Sequence, residues 1–497
     1  MATSLLSKLE KHPVRSILFI ALLPRLLAVF YSQGYGMHDD HFGPIEQPHI
    51  IMHDISYWEN RGGVHGHSIV YPAIHYGFFL LLRDINIVDP KTVMLIVRFL
   101  HALYSLFIVY FGYKITQLYS SEKTAFKVGI LLALFWPLPF ISVRNLIEVV
   151  CIPPLMGGLY YALRAPENKK NALWSGALFG LAFVFRYQTV LIPATIGFIW
   201  LLQKQWKDIG LLIAGGFGVA LLVQGTADLL AWGYPFAAVI EYVRYNATHG
   251  SDYTTGGWYN YLLLILGAFI PPTSFFLLYG AVRQWKKTSI AFFSSLAFFV
   301  FLSMFPNKQE RFVFSVVPQL FMLSTMGWID TVEASTYWQR HRKLVKSLWV
   351  WFWIVNCILL VIFSTYYSKR ARVEAMYYFY GKPVSGYVLV AGDIGVTQMP
   401  QFYSGQYVKN IYEIQQSDSE KEIAEKIQRG EKLPNYVIFF GPMALEKSEK
   451  LERALQAKLT YETTVSPSFL DDVFYRLNPR FNKNQTIYIY SISSVAK

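Results

Sequence analysis

The sequence predicts a polytopic α-helical membrane protein with a small soluble α/β domain at its C-terminal end. Three observations carry this. The 497 residues are 54% hydrophobic, only 15% are charged, and the mean hydropathy is +0.30, whereas soluble domains carry about 25% charged residues. Apolar stretches recur eleven times before residue 367. After residue 367 the pattern changes to short β-like runs alternating with polar helical ones.

The eleven expected spans lie near 16–32, 92–112, 124–141, 146–163, 172–186, 189–203, 208–231, 259–280, 288–305, 312–329 and 347–366. Several fall short of the ~20 apolar residues that cross a bilayer. The 172–203 region is interrupted by Arg186-Tyr187-Gln188 and reads either as two short spans or as one bent hairpin, so the count is set to within one or two. Lys8, Lys11 and Arg15 precede the first apolar stretch. No small-residue cleavage site follows, so this stretch reads as an uncleaved first span. Cys151 and Cys357 both fall in apolar segments, which argues against a disulfide framework.

The formal net charge of +13 would suggest a nucleic-acid partner in a soluble protein. Here the basic residues concentrate in short connections between apolar segments. With the N-terminus inside, eighteen Lys and Arg fall on inner segments and eight on outer connections before residue 367. That bias is the positive-inside signal. It assigns the large loop 33–91, the loops 232–258 and 306–311, and the tail 367–497 to one outer face, and it excludes nucleic acid as the expected partner.

In the tail, Gly386–Val390, Tyr436–Phe440 and Thr486–Tyr490 read as strands, and Ser417–Gln428 and Ala444–Lys458 as helices. Gly392-Asp393-Ile394-Gly395 is too short for a phosphate loop. The tail's role is left open among acceptor recognition, partner docking and shielding of a cavity.

Two polar clusters stand out on the outer face. Met37-His38-Asp39-Asp40-His41-Phe42 follows the first apolar stretch, and Asn307-Lys308-Gln309-Glu310-Arg311-Phe312 lies between two others. Adjacent carboxylates where a chain leaves lipid are costly unless they face water or a substrate. An ordinary acidic loop is the bland reading. The functional one makes Asp39 or Asp40 a general base, because a carboxylate whose proton affinity is raised can take the proton of an attacking hydroxyl. Seven of the eleven histidines lie at 38, 41, 49, 53, 65, 67 and 75. His38, His41, His65 and His67 form the alternative set for a divalent metal, against a reading in which they donate to substrate hydroxyls or phosphate. Arg144 and Glu148 are spaced to share a helix face, and Arg186, Lys308 and Arg311 are cations suited to a lipid phosphate. Arg186 can also be read as a snorkelling arginine, and Arg144–Glu148 as a structural ion pair. Trp258-Tyr259-Asn260-Tyr261 is either an interfacial belt or a stacking surface for a sugar.

Five stretches then fall in a recognisable order: His38-Asp39-Asp40-His41-Phe42 with Glu46 and Pro48; Arg144-Asn145-Leu146-Ile147-Glu148 and Arg186; Asp228 with Tyr234; Tyr245-Asn246 and Trp258-Tyr259-Tyr261; and Ser303…Asn307-Lys308-Gln309-Glu310-Arg311-Phe312…Pro318. Over roughly residues 15–330 the chain resembles the GT-C type integral-membrane glycosyltransferases, specifically the mannosyltransferase group of N-glycan and glycolipid-anchor assembly. It departs from that group's pattern at Asp40, Asn307 and Gln309, where Glu, His and Glu are usual, and these departures bear on sugar and acceptor identity. The motif drift and compact length suggest a bacterial member, with the outer face periplasmic in an inner membrane, or lumenal in the endoplasmic reticulum of a eukaryote.

The resemblance implies a GT-C fold over 1–366, with an extracytoplasmic domain over 367–497. It implies inverting transfer of a sugar, typically mannose, from a polyprenyl- or dolichyl-phosphate donor to a lipid-linked or cell-surface glycan. Asp39 is then the base and Asp40 its support, with Arg144, Glu148, Arg186, Tyr245, Asn246, Trp258, Tyr259, Lys308, Glu310 and Arg311 binding donor or acceptor. The resemblance also implies no obligatory cofactor, with a divalent metal left open, and single displacement from a lipid phosphate needs neither nucleotide pocket nor protein nucleophile. A polymerase or ligase acting on lipid-linked oligosaccharides is the nearest alternative. A transporter is further away, because no internal repeat is visible and the polar residues gather at one face.

Overall fold

The computed structural model describes residues 11–494 except 61, 250, 251, 253, 254, 393, 394, 431 and 480. Lys8, Arg61 and the Asp393-Ile394 pair of the short glycine motif lie outside the described residues. The chain divides into two compact units: residues 1–30, 62–73 and 97–365 form the first, and residues 31–61, 74–96 and 366–497 the second.

The first unit is helical throughout. Four helices among the described residues are long and apolar enough to cross a membrane: Pro13–Tyr31, Pro90–Tyr119, Trp206–Trp232 and Arg342–Ser364. Asn260–Ala268 and Thr273–Arg283 make a fifth if their 108° bend joins one span. Ile147–Leu163, Lys170–Phe185, Tyr187–Leu202 and Ser289–Met304 are shorter apolar helices. Glu122–Leu134 and Val317–Ala334 cover most of the remaining two expected spans. The interruption at Arg186-Tyr187-Gln188 is a break into a 3-10 turn, Tyr187–Val190, between two separate helices.

Local chemistry explains the breaks. After Leu134 the backbone turns extended at Phe135, and Pro137 starts the next short helix. The exposed peptide groups at the break are taken by Asn356, whose Nδ2 donates to Leu134 O (2.8 Å) and whose Oδ1 accepts from Trp136 N (3.0 Å). In lipid such groups must find protein partners. Lys170–Phe185 and Trp206–Ala220 touch backbone to backbone: a Cβ on Gly176 would lie 2.1 Å from Leu212 O, and one on Gly215 2.2 Å from Leu173 O. Small residues at such contacts are how apolar helices associate where lipid supplies no hydrophobic drive. Arg25, buried within the first span, donates to Ser105 Oγ, Ala21 O and Ala133 O and so ties neighbouring segments together.

The second unit holds a five-stranded sheet: β1 Tyr387–Val390, β2 Ile411–Ile414, β3 Tyr436–Phe440, β4 Ala457–Val465 and β5 Ile487–Ser494, in the order β2-β1-β3-β5-β4. β1 pairs in parallel with β2 and β3, while β5 pairs antiparallel with β3 and β4. β1 is wholly buried, as expected of a parallel strand covered on both faces. Val388, Val390, Val437 and Phe439 pack with Ile423, Ile427 and Leu451 from the helices Glu420–Gln428 and Ser448–Leu455. A Ser419/Glu422 capping box starts the first of these helices. The expected helix Ala444–Lys458 is shorter than its sequence suggests, running over Ser448–Leu455 after a 3-10 turn. Gln456 takes the left-handed conformation and turns the chain into β4. The large loop 33–91 is mostly ordered into the turns and helices Phe42–Glu46, Gln47–His53, Ser56–Glu59 and Val70–Asp84.

Candidate functional site

The two carboxylates of the Asp39-Asp40 doublet have different fates. Asp40 is 1% exposed, and its carboxylate accepts from the backbone N–H groups of Gly36 (2.7 Å) and Met37 (3.1 Å). It therefore closes the turn that carries the loop. Asp39 is half exposed, with Oδ1 3.4 Å from His38 Nδ1. His38 also meets Gln398 through Nε2 (2.9 Å) and stacks on Phe42. His41 lies between the rings of Tyr35 and Tyr403, and its Nε2 meets Glu46 Oε2 at 2.9 Å. Glu46 in turn accepts from Phe402 N. His49 is buried next to Phe402, and burial pushes its imidazole down to about 4.

Two cations near Asp40 carry no signal in the sequence. Burial pushes the Lys369 ammonium down to about 8, with Arg372 adding to the effect and Asp471 and Asp40 opposing it. Arg372 Nη2 donates to Lys483 O (2.6 Å). These residues belong to the second unit.

The first unit holds the arginine-rich cluster. Arg186 ends the helix Lys170–Phe185; its Nη1 donates to Phe312 O (2.7 Å) and Ser315 Oγ (2.6 Å), and its Nε to Gln188 Oε1 (3.4 Å). All these acceptors are neutral, and the buried Nη2 has no partner among the described residues. Ser315 Oγ also donates to Glu148 O, and Glu148 Oε1 stands 3.5 Å from Arg311 Nε. Arg144 is buried, with its guanidinium over the Phe140 ring. Arg186, Arg311 and Glu148 are thus brought together through the backbone and hydroxyl of the 312–315 turn.

Lys308 is placed differently. Its Nζ donates to the carbonyls of Leu302, Ser303 and Phe305, which are the open end of the helix Ser289–Met304, and it lies over the Tyr261 ring. A cation at a helix C-terminus satisfies orphan carbonyls and the dipole together. Burial pushes its ammonium down. Glu310 is exposed in the following turn.

Of the aromatic candidates, Trp258 and Tyr259 are exposed, Tyr245 stacks on His249, and Asn246 bonds Tyr242 O of its own helix. Tyr242, which the sequence did not single out, hydrogen-bonds Gln188 and feels the charges of Arg186 and Glu148. Its position three residues before Tyr245 on one helix was the available signal. Asp228 is a buried structural acid, accepting from Gln224 Nε2 and Ala238 N. Among the described residues, no three His, Cys, Asp or Glu side chains converge as metal ligands. His41 is taken by Glu46, while His65 and His67 lie against Trp232 and Tyr242.

The whole-chain fold has solved counterparts. ArnT from Cupriavidus metallidurans, bound to undecaprenyl phosphate, superposes with a TM-score of 0.61 at 12% identity, covering 95% of this chain and 97% of that one. The Archaeoglobus fulgidus oligosaccharyltransferase gives a TM-score of 0.55 at 11% identity, over 90% of this chain and 72% of that one. Both are GT-C enzymes, so the chain has the GT-C fold. In sequence it is 24% identical over 393 residues to GPI mannosyltransferase 3 of Yarrowia lipolytica, covering 75% of this chain and 72% of that protein. It is 21% identical over 374 residues to human GPI alpha-1,2-mannosyltransferase 3, covering 72% of this chain and 64% of that protein. The model of the Alg9-like mannosyltransferase family matches residues 11–383, and the chain, a membrane glycosyltransferase, belongs to that family.

Proposed function

We propose that the protein transfers mannose, with inversion, from a polyprenyl-phosphate-linked donor to a lipid-linked glycan on the outer face of its membrane. The observation that carries this reading is Arg186. It is a buried guanidinium held by neutral acceptors, with one nitrogen unpartnered and no carboxylate of its own. A buried cation without a counterion is strongly unfavourable, and an anionic phosphate resolves it with the bidentate geometry that arginine provides.

In the reaction Asp39 takes the proton of the acceptor hydroxyl as its oxygen attacks the anomeric carbon. The bond from that carbon to the phosphate oxygen breaks, and the lipid phosphate leaves with the electron pair. Arg186 and Arg311 stabilise the charge that develops on it. Asp40 holds the loop, and no metal takes part. An apolar cleft of about 740 Å3 is lined by Phe179, Phe183, Val190, Pro193 and Phe217 among others. It begins within a few residues of Arg186 in sequence and suits the isoprenoid tail of such a donor. The outer face, periplasmic or lumenal, is argued from the excess of basic residues on the opposite connections. A glycolipid mannoside as acceptor is supported by the relatives named GPI mannosyltransferases.

The test is transfer of label from radiolabelled polyprenyl-phosphate mannose to a crude lipid fraction, comparing wild type with Asp39→Asn in liposomes. Transfer by wild type alone supports the reading. No transfer from mannose but transfer from another polyprenyl-phosphate sugar would replace the donor, and no transfer from any of a panel would sink it.

A further inference from the structure

The second unit contains a pocket that plays no part in the reaction proposed above. It has a volume of about 250 Å3 and is lined by Gly441, Met443, Asp472, Tyr475, Asn484 and Gln485 among others. Its place in the sheet is informative. β1 pairs in parallel with β2 on one side and β3 on the other, so the chain order reverses between β1 and β3. Ligands of open α/β sheets bind outside the carboxyl ends of the strands at such a reversal. Gly441–Met443, which follow β3 directly, form one wall of the pocket. Gly392, which follows β1, lies against it: a Cβ there would stand 2.1 Å from Phe440 O and 3.2 Å from Gln485 Oε1. A Cβ on Gly441 would stand 2.7 Å from the same Gln485 oxygen. Glycine at both positions therefore lets the ends of β1 and β3 and the Gln485 side chain approach closely at the pocket's edge.

The polar lining points to a ligand. Asn484 is 4% exposed, and its Nδ2 donates to Asp471 Oδ1 at 3.2 Å. Because a carboxylate only accepts, this bond fixes the amide orientation and leaves Oδ1 as the free end. That Oδ1 is buried and has no hydrogen-bond partner among the described residues. Buried acceptors are rarely left unsatisfied in native proteins. Asp471 itself is fully occupied, accepting from the Tyr366 hydroxyl and from Lys369 N and Arg370 N as well, so it anchors Asn484 and does not compete with a ligand.

The remaining polar lining joins the Asp472 carboxylate, an acceptor also paired with Arg476, to the Gln485 amide and the Tyr475 and Thr486 hydroxyls, which both donate and accept. The carboxylate repels phosphate, and the set asks for a neutral ligand bearing several hydroxyls. Pro442, Met443, Pro467 and Tyr475 give the apolar surface that the C–H face of a sugar ring covers. The volume lies below the ~300–1,000 Å3 of pockets for larger ligands, which suits one ring and not a chain.

We propose that this pocket is a saccharide subsite that takes a single neutral pyranose, with Asn484 and Asp472 accepting from its hydroxyls. The site stands on its own geometry. It rests on the transferase reading only in assigning the ring to the glycan acceptor, which the domain would hold away from the reacting hydroxyl.

The experiment is saturation-transfer NMR with a panel of methyl pyranosides, methyl α-mannoside first, on the full-length protein in a detergent without a sugar headgroup. The comparison is wild type against Met443→Trp, which fills the pocket from a side chain that is 47% exposed and free to change, and against Asn484→Ala. Wild type should bind at least one methyl pyranoside. Met443→Trp should weaken that binding at least tenfold with an unchanged unfolding midpoint, and Asn484→Ala should weaken it as well. Asp39→Asn should leave it intact. Binding unaffected by Met443→Trp, or no binding by any glycoside of the panel, would overturn the proposal. If binding behaves as expected but no polyprenyl-phosphate sugar supports transfer, the subsite stands and the transferase reading falls. In active enzyme, Met443→Trp should raise KM for a long glycan acceptor and leave kcat unchanged.

Discussion

The Asp39-Asp40 loop and the Asn307–Phe312 loop look alike in sequence, each a short charged insert beside an apolar stretch. The structure treats them alike in an unexpected way: each gives one charge to its own backbone. Asp40 binds the N–H groups of Gly36 and Met37, while Asp39 is open to solvent. Lys308 binds the carbonyls at the end of the helix Ser289–Met304, while Arg311 faces Glu148 and lies in the same turn as the acceptors that hold Arg186. The difference is one of sign and supply. An acid can satisfy a turn's donors and a cation a helix's last acceptors, so one charge of each loop is spent on backbone groups.

The sharpest way to break this comparison is to remove each charge in turn. Asp39→Asn should lower kcat by roughly 10²–10⁴-fold, the usual worth of a general base, with no change in unfolding midpoint. Asp40→Asn should instead lower the midpoint, because charge-assisted bonds of this kind contribute about 1.5–3 kcal/mol. An Asp40 variant that folds normally but is inactive would reverse the two roles. On the other loop, Arg186→Gln should cost about 10²–10³-fold in kcat, the scale of a lost electrostatic contact to a developing anion. Lys308→Met should chiefly reduce stability, by about 1.5–3 kcal/mol. Loss of transfer in Lys308→Met at unchanged stability would return that lysine to the phosphate.

His49 gives a pH test of the loop's packing. Its folded value, about 4, lies below the ordinary imidazole value of 6.5. The unfolded chain therefore binds the proton first as pH falls. Stability is full above pH 6.5 and is lost progressively down to about pH 4, by an amount on the order of 3 kcal/mol. Unfolding midpoints measured between pH 7 and 5 should show the slope, and His49→Phe should flatten it. A slope unchanged in His49→Phe would assign it to another group. The smallest expected effect is that of chelation: EDTA should change the rate by less than about twofold, whereas a catalytic ion would be worth several kcal/mol of barrier. A reversible loss restored by one divalent ion would bring back the histidines.

Much of this was legible along the chain. Asp39, Arg186 and Arg311 could be picked out because charge beside long apolar runs is rare and costly, and the strand runs of β1, β3 and β5 because their patterns are dense in Val, Ile, Tyr and Phe. β2 and β4 were not legible: Ile411–Ile414 is too short to stand out, and β4 is polar on its open side. Ser315, Lys369 and Arg372 were invisible for another reason. Each matters through a partner far away in sequence, as Ser315 does through Arg186 and Glu148.

The sequence by itself determined the membrane character, the family pattern and which residues carry charge beside the apolar stretches, since hydropathy and charge are properties of each residue where it stands. Only the tertiary structure decided which carboxylate of the doublet is spent on a turn, that Lys308 caps a helix, and that Asn484 is held by Asp471 with one oxygen left over. A side chain's composition is local, but whether its hydrogen-bonding capacity is already used depends on backbone groups and neighbours that only folding brings within reach.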